Sequence, residues 1–444
     1  MRVKQILGLA IVFSMLAPSP EAMAQAIVTD VIDAADENDP FDATIQLRYE
    51  REVSTGNVTR EVVSGSEIVP NNEFSYNRTI QRMVVNPRIG LYRDLELSID
   101  IPIVFVDQMK LTVNLESATV AQGDPPLFPL DGDQFTGSQR SGLGDMKFQI
   151  RYSPFNYQRE VTEPTWVIAI GYTAPTGKLK RANNIGVGEG LHQIDLSTTI
   201  SRRAASWLEP YFSFHGTFRF PGADTLFTNE GTTQTLIQPG STLGLMLGTE
   251  LIPWEDNEAD ARFEIDLGFI ADFVFEGREY TPLFEPLGRS PCSVDPVHAA
   301  SCEDTAYTRS IEEGVGDLTA FHSNGITDVE QYGRLGGHVG LHYQPVQYIQ
   351  LGATFGYHRI TPHLLTNADP GRDLDESGAV ELARTDPENP NSPLINEYSP
   401  TYIKGIDAPA GHQSLDNPTG QATRFKLNQG SDTFILAVHL SGKF

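Results

Sequence analysis

Hydrophobic residues along this 444-residue chain fall on every second position, in short blocks separated by polar, Gly- and Pro-containing links. Side chains alternate across a β-strand, so period two predicts strands with one oily and one polar face. In the segment 262–275, Phe263, Ile265, Leu267, Phe269, Phe273 and Phe275 oppose Arg262, Glu264, Asp266 and Asp272. Residues 95–106 set Leu95, Leu97, Ile99, Ile101, Ile103 and Phe105 against Glu96, Ser98 and Asp100. The same reading gives strands at 41–50, 79–91, 144–152, 165–175, 192–200, 207–220, 241–251, 332–343 and 348–359, and a twelfth at the end of the chain.

The links between these segments sort by length. Those at 92–94, 153–164, 201–206, 252–261 and 344–347 are short or modest. The alternate ones, 51–78, 107–143, 276–331 and 360–431, are long, and 176–191 and 221–240 are shorter members of that set. Transmembrane barrels have short periplasmic turns and long external loops, whereas a soluble sandwich has no reason to sort its loops. Trp166, Trp207 and Trp254, with Tyr92, Phe155 and Tyr157 nearby, fall at the short-link ends and read as an interfacial aromatic girdle.

Arg2 and Lys4 precede an apolar run from Ile6 to Leu16, and Ala22-Met23-Ala24 follows, the layout of a secretory leader cut before Gln25. The run is too short for a spanning helix, which needs about 20 apolar residues. This predicts a leader at 1–24, a short periplasmic segment at 25–39 and a barrel over 40–444. The closing segment has Phe434, Leu436, Val438, Leu440 and Phe444 on one parity and His439, Ser441 and Lys443 on the other. It resembles the terminal strand of Gram-negative outer-membrane barrels, which the barrel assembly machinery reads. The fold class expected is all-β: a transmembrane, antiparallel, up-and-down β-barrel of about twelve strands, integral to the outer membrane. Its outward surface would meet outer-membrane lipids and lipopolysaccharide.

With 32 basic and 58 acidic residues the chain carries −26, which excludes nucleic acid as a partner for lack of basic patches. In a membrane barrel the polar parity faces the lumen, which assigns Arg82, Arg88, Glu96, Asp100, Lys147, Arg151, Glu264 and Asp266 to a charged interior. Oily positions are odd both before and after the 92–94 link, so paired numbers should sum to an even value. That excludes a two-residue turn and favours Leu91 opposite Leu95, with Arg88 opposite Ser98, diagonal to Glu96 and Asp100.

Cys292 and Cys302, close together in one loop, predict a loop-closing disulfide in an oxidising compartment. The stretch Asp373 to Glu381 matches the first nine positions of a calcium loop, but Arg384 stands where the closing Glu belongs, so a solvated acidic loop is expected. His215, His338, His342 and His358 have inward parity and read as lumen hydrogen-bonding groups. Outer-membrane phospholipases carry a lipid-facing His-x-Ser; the comparable His192-Gln193-Ile194 lacks the serine. No cofactor or catalytic constellation is legible, and the chain reads as a non-enzyme.

Three motifs remain: Ser141-Gly142-Leu143-Gly144-Asp145, Ala174-Pro175-Thr176-Gly177-Lys178, and Ile185-Gly186-Val187-Gly188-Glu189-Gly190. A period-2 strand follows the last one, so it is no phosphate cradle, which requires a helix there. Their order resembles a family of outer-membrane barrel transporters linked to the meta-cleavage pathway of phenol degradation. The resemblance covers residues 140–200 and implies passage of small aromatic or hydrophobic compounds; it carries no site residues. The function expected is passive transport of small molecules through the outer membrane. The alternatives are an outer-membrane lipid-modifying enzyme and a non-conducting adhesion or structural barrel.

Overall fold

The computed structural model describes residues 27–32, 42–64, 67–114, 131–220 apart from 158 and 183, 237, 239–289 apart from 257, 326–366 and 422–444. Cys292 and Cys302, the acidic stretch 369–388 and the leader 1–24 lie outside the described residues.

Twelve long strands form one antiparallel barrel: β1 (Ala43–Ser64), β2 (Glu67–Tyr92), β3 (Leu95–Val113), β4 (Met146–Phe155), β5 (Thr165–Ala174), β6 (His192–Ser201), β7 (Leu208–Phe220), β8 (Thr242–Asp256), β9 (Ala261–Val274), β10 (Tyr332–Val346), β11 (Ile349–Ile360) and β12 (Ala422–Lys443). Each pairs with its chain neighbour, and β12 pairs with β1 from Thr44↔Lys443 to Val62↔Ala422, which closes the barrel and leaves no free edge. The two faces follow the alternation. Ile45, Ile150, Phe214, Leu247, Phe269 and Leu436 stand exposed on the outer face, while Glu96, Glu250, Glu264 and Asp266 are buried on the inner one. An exposed oily belt around a polar interior is the arrangement a bilayer stabilises and water does not. No helix among the described residues is long and apolar enough to cross a membrane.

Strand lengths differ around the barrel. β4, β5 and β6 have 10 residues each, matching the roughly 9–11 that one tilted crossing needs. β1, β2, β3 and β12 run to 22, 26, 19 and 22 residues. The surplus projects on the long-link side, and there the faces exchange character. Arg51 and Asn77 face outward and are exposed, whereas Val58, Phe74, Tyr76, Leu111 and Val113 turn inward into a buried apolar cluster with Phe135, Leu283, Val329 and Leu365. The link 51–78, expected as a long loop, is therefore a β-hairpin, paired as far as Ser64↔Glu67.

The turn between β2 and β3 corrects a second expectation. Arg88 does stand opposite Ser98 and Ile89 opposite Leu97, but the register slips between Gly90 and Tyr92, and Tyr92 faces Leu95. A bulge at Leu91 adds one residue to β2. That restores a two-residue turn, Arg93-Asp94, with Asp94 at φ 49°. Leu91 and Tyr92 both end up exposed, which widens the apolar rim. The strand expected at 144–152 runs from Met146 to Phe155, beyond Gly144-Asp145, and the short strand Arg140–Leu143 before it pairs separately with β3.

At the short-turn end Tyr92, Tyr152, Phe155, Trp207, Trp254 and Tyr348 form an exposed aromatic ring. Trp166 stacks on Phe155 with centroids 5.8 Å apart and donates to Thr198 Oγ1 at 2.7 Å. Tyr157, expected in this girdle, is instead buried. The segment Asn156-Tyr157 folds under the barrel, where Asn156 Nδ2 donates to Asp94 Oδ1 at 2.6 Å and Arg159 sits 2.8 Å from Asp94 Oδ2.

Candidate functional site

The interior holds paired charges. Arg88 donates from Nε and Nη2 to the two carboxylate oxygens of Glu96, at 2.9 and 2.6 Å, a bidentate pair in a diagonal register. Arg151 lies 3.7 Å from the same carboxylate. Arg82 bonds Glu50, Lys147 lies 3.1 Å from Asp195, and Asp100 accepts from Asn86 Nδ2 at 2.7 Å. Across the lumen, Glu264 pairs with Arg262. Asp266 accepts from Tyr211 at 2.8 Å and lies 2.6 Å from His338 Nε2. His215 Nε2 is 3.0 Å from Asp272, which also accepts from Arg334. The eight residues assigned to the interior are thus split between two walls: Arg82, Arg88, Glu96, Asp100, Lys147 and Arg151 on β2–β4, Glu264 and Asp266 on β9.

A single-turn 3-10 helix, Ile27–Thr29, enters this lumen at its short-turn end. Arg88 Nη2 donates to the carbonyl of Asp30 at 2.9 Å, and Arg151 donates to the carbonyls of Asp30 and Val28 at 2.8 and 3.1 Å. The amide of Ile32 donates to Glu96 Oε2 at 3.1 Å. On the other side Thr29 Oγ1 meets Ser201 Oγ at 2.8 Å, and Ser201 in turn donates to Glu209. Burial alone would raise the Asp30 carboxyl, but the Arg88, Lys443 and Arg151 cations outweigh it and hold it below the usual range. Segment 27–32 is a plug strapped mainly to the β2–β4 wall. Nothing in its composition announces this. The only sequence hint is that Arg88 and Arg151 carry more donors than the facing carboxylates can use.

The opposite mouth is covered by short elements. Gln134–Thr136 pairs with β3, Gly277–Glu279 pairs with Thr327–Val329, and His363–Thr366 pairs with β12. A five-residue helix, Phe284–Gly288, lies among them. Its Glu285 accepts from Arg140 Nη2 at 2.5 Å in a pair where both side chains are buried. Arg140 also donates to the carbonyls of Asn184 and Gly186. Burial pushes the Glu279 carboxyl up to about 7.

The three glycine motifs meet at this rim. Asp145 accepts from the amides of Gly177 and Glu189, both at 2.8 Å, and Thr176 Oγ1 accepts from the amide of Met146 at 2.9 Å. A Cβ on Gly188 would stand 2.7 Å from the Gly177 carbonyl oxygen; only bare backbone lets these two segments cross. His192 is stacked on Tyr172, whose hydroxyl lies 2.8 Å from its Nδ1, and no serine accompanies it.

No family model matches the chain, and no curated protein matches it. Distant likenesses to solved structures are found. An outer membrane channel from Pseudomonas putida F1 is 11% identical, covering 96% of this chain and 99% of its own, with a TM-score of 0.40. The outer membrane protease OmpT from Escherichia coli is 8% identical over 96% and 100%, TM-score 0.29. A FadL homologue of Pseudomonas aeruginosa is 8% identical over 91% and 90%, TM-score 0.31. At these identities no residue of theirs maps onto this chain.

Proposed function

We propose that this protein is an outer-membrane channel for passive passage of small molecules. One observation carries the reading: the oily outer belt encloses an interior of ion pairs and histidines, and the packed apolar cluster is confined to the long-link end. Charged groups on opposing inner walls select by size and charge, and a barrel of twelve strands stands between filled and open ones. The plug at 27–32 restricts the short-turn end on one side, and the capping elements restrict the other mouth. Aromatic or hydrophobic cargo is the class the glycine motifs at 140–190 favour, through their resemblance to transporters of that kind. Lipopolysaccharide and outer-membrane lipids would cover the outer face, and the barrel assembly machinery would insert it.

The test is unitary conductance of the refolded full chain in planar bilayers, with liposome swelling by small aromatic acids and by sugars of similar size. Discrete conductance steps and faster swelling with the aromatic solutes support the reading. A heat-modifiable, folded barrel that neither conducts nor admits solute would instead indicate a non-conducting structural or adhesive protein.

A further inference from the structure

The geometry points to a conducting path along the β7–β12 wall, held open by rings folded back over cross-strand glycines; this rests on the channel reading above. On that wall five large inward rings have glycine as a direct register partner, whereas Tyr332, nearer the cap, faces Val274. Tyr211 faces Gly248 and His215 faces Gly244. His338 faces Gly268. His342 and His439 face the same Gly352 from opposite sides.

The rings lie against these glycines. A Cβ on Gly268 would stand 2.2 Å from His338 Cε1, and one on Gly248 would stand 2.2 Å from Tyr211 Cζ. At Gly352 it would meet His439 Cε1 at 2.1 Å and His342 Nδ1 at 2.8 Å; at Gly244 it would meet His215 Nε2 at 2.4 Å. A ring covering a cross-strand glycine stabilises the sheet in its own right. Here it has a second effect. A side chain that occupies the missing Cβ's place lies along the wall and leaves the lumen in front of it clear. Asp266 and Asp272 fix three of the rings in that posture through Tyr211, His338 and His215.

A further observation favours this side. The plug and the Arg88–Glu96–Arg151 group take up the facing β2–β4 wall.

The experiment compares unitary conductance of full-length variants whose folding is verified by heat-modifiable migration. Gly268→Ala and Gly352→Ala must push a ring into the lumen and should lower conductance two-fold or more. Gly356→Ala, inward on the same wall but with nothing nearer than Ile435 Cβ at 3.5 Å, should leave it unchanged. Removing the displaced ring, in Gly268→Ala/His338→Ala, should restore the wild-type value. Thr354→Trp, which adds bulk beside Gly352 without a glycine change, should reduce conductance far more than Gln149→Trp, inward on β4 opposite Ser98. A folded Gly268→Ala that conducts like wild type overturns the path, as does failure of the double variant to recover. Equal loss from both tryptophans overturns it too. A wild-type barrel that passes no current overturns the channel reading and the path together.

Discussion

At the scale of single residues, alternation decides what each position tolerates. Leu267 is exposed on the outer face, while Asp266 beside it is buried and bonded to Tyr211 and His338. Leu267→Arg should cost about 2–4 kcal/mol of barrel stability in a bilayer, the depth-dependent penalty for a cation on the lipid side. Equilibrium unfolding into vesicles measures it. Asp266→Asn should shift the reversal potential of the channel in a salt gradient, because it removes an inner-wall charge. Glu279 supplies a pH effect in the cap. Its folded carboxyl titrates near 7 against an ordinary 4.5, so the unfolded segment releases its proton first as pH rises. The cap loses stability between about pH 4.5 and 7 and carries the full cost of the buried charge above that. Protection factors of the cap-strand amides, with intrinsic base-catalysed exchange divided out, should fall over this window, and Glu279→Gln should abolish that fall. A slope unchanged in that variant would assign it to another group.

At the scale of elements, the oily parity made the barrel strands legible within a few residues, and the same rule hid what lies beyond them. Past Arg51 on β1 and Gln81 on β2 the outward positions turn polar and the inward ones, Val58 and Phe74, turn apolar. A fixed parity therefore reads the continuing hairpin as a loop. Leu91 misled for a related reason: parity counts residues, and a bulge changes the count without changing either face. The plug escaped because a single 3-10 turn has no period to detect, and its binding is carried by main-chain carbonyls rather than side chains of its own. That binding is open to test. Arg151→Ala removes its own donors to Val28 and Asp30 and leaves Arg88 on the Asp30 carbonyl. It should loosen the segment and raise single-channel conductance or its fluctuation, with barrel stability little changed. Identical traces from wild type and variant would mean the plug does not restrict flow.

At the scale of the molecule, the inside–outside layout predicts which links face the medium. Protease added to intact cells should cut within 290–325 or 367–421 and spare Arg93-Asp94 and the turn at 347–348. Cutting confined to the short turns would invert the orientation. The sequence layout of links carried this much, whereas the partition of charge between two walls and the meeting of the three glycine motifs depend on pairings hundreds of residues apart. One such pairing has a consequence in time. The seam joins Ala43 to Phe444 through two main-chain hydrogen bonds and runs on through β1 and β12. Bringing such remote ends together costs about 5 kcal/mol of chain entropy by the logarithmic loop law. The hairpin of β1 and β2, by contrast, has only residues 65–66 to close. Adjacent hairpins therefore zip early, and the last strand must find an edge that has stood open throughout assembly. The circle is shut at the end, and whatever guards that edge until then governs how fast the protein matures.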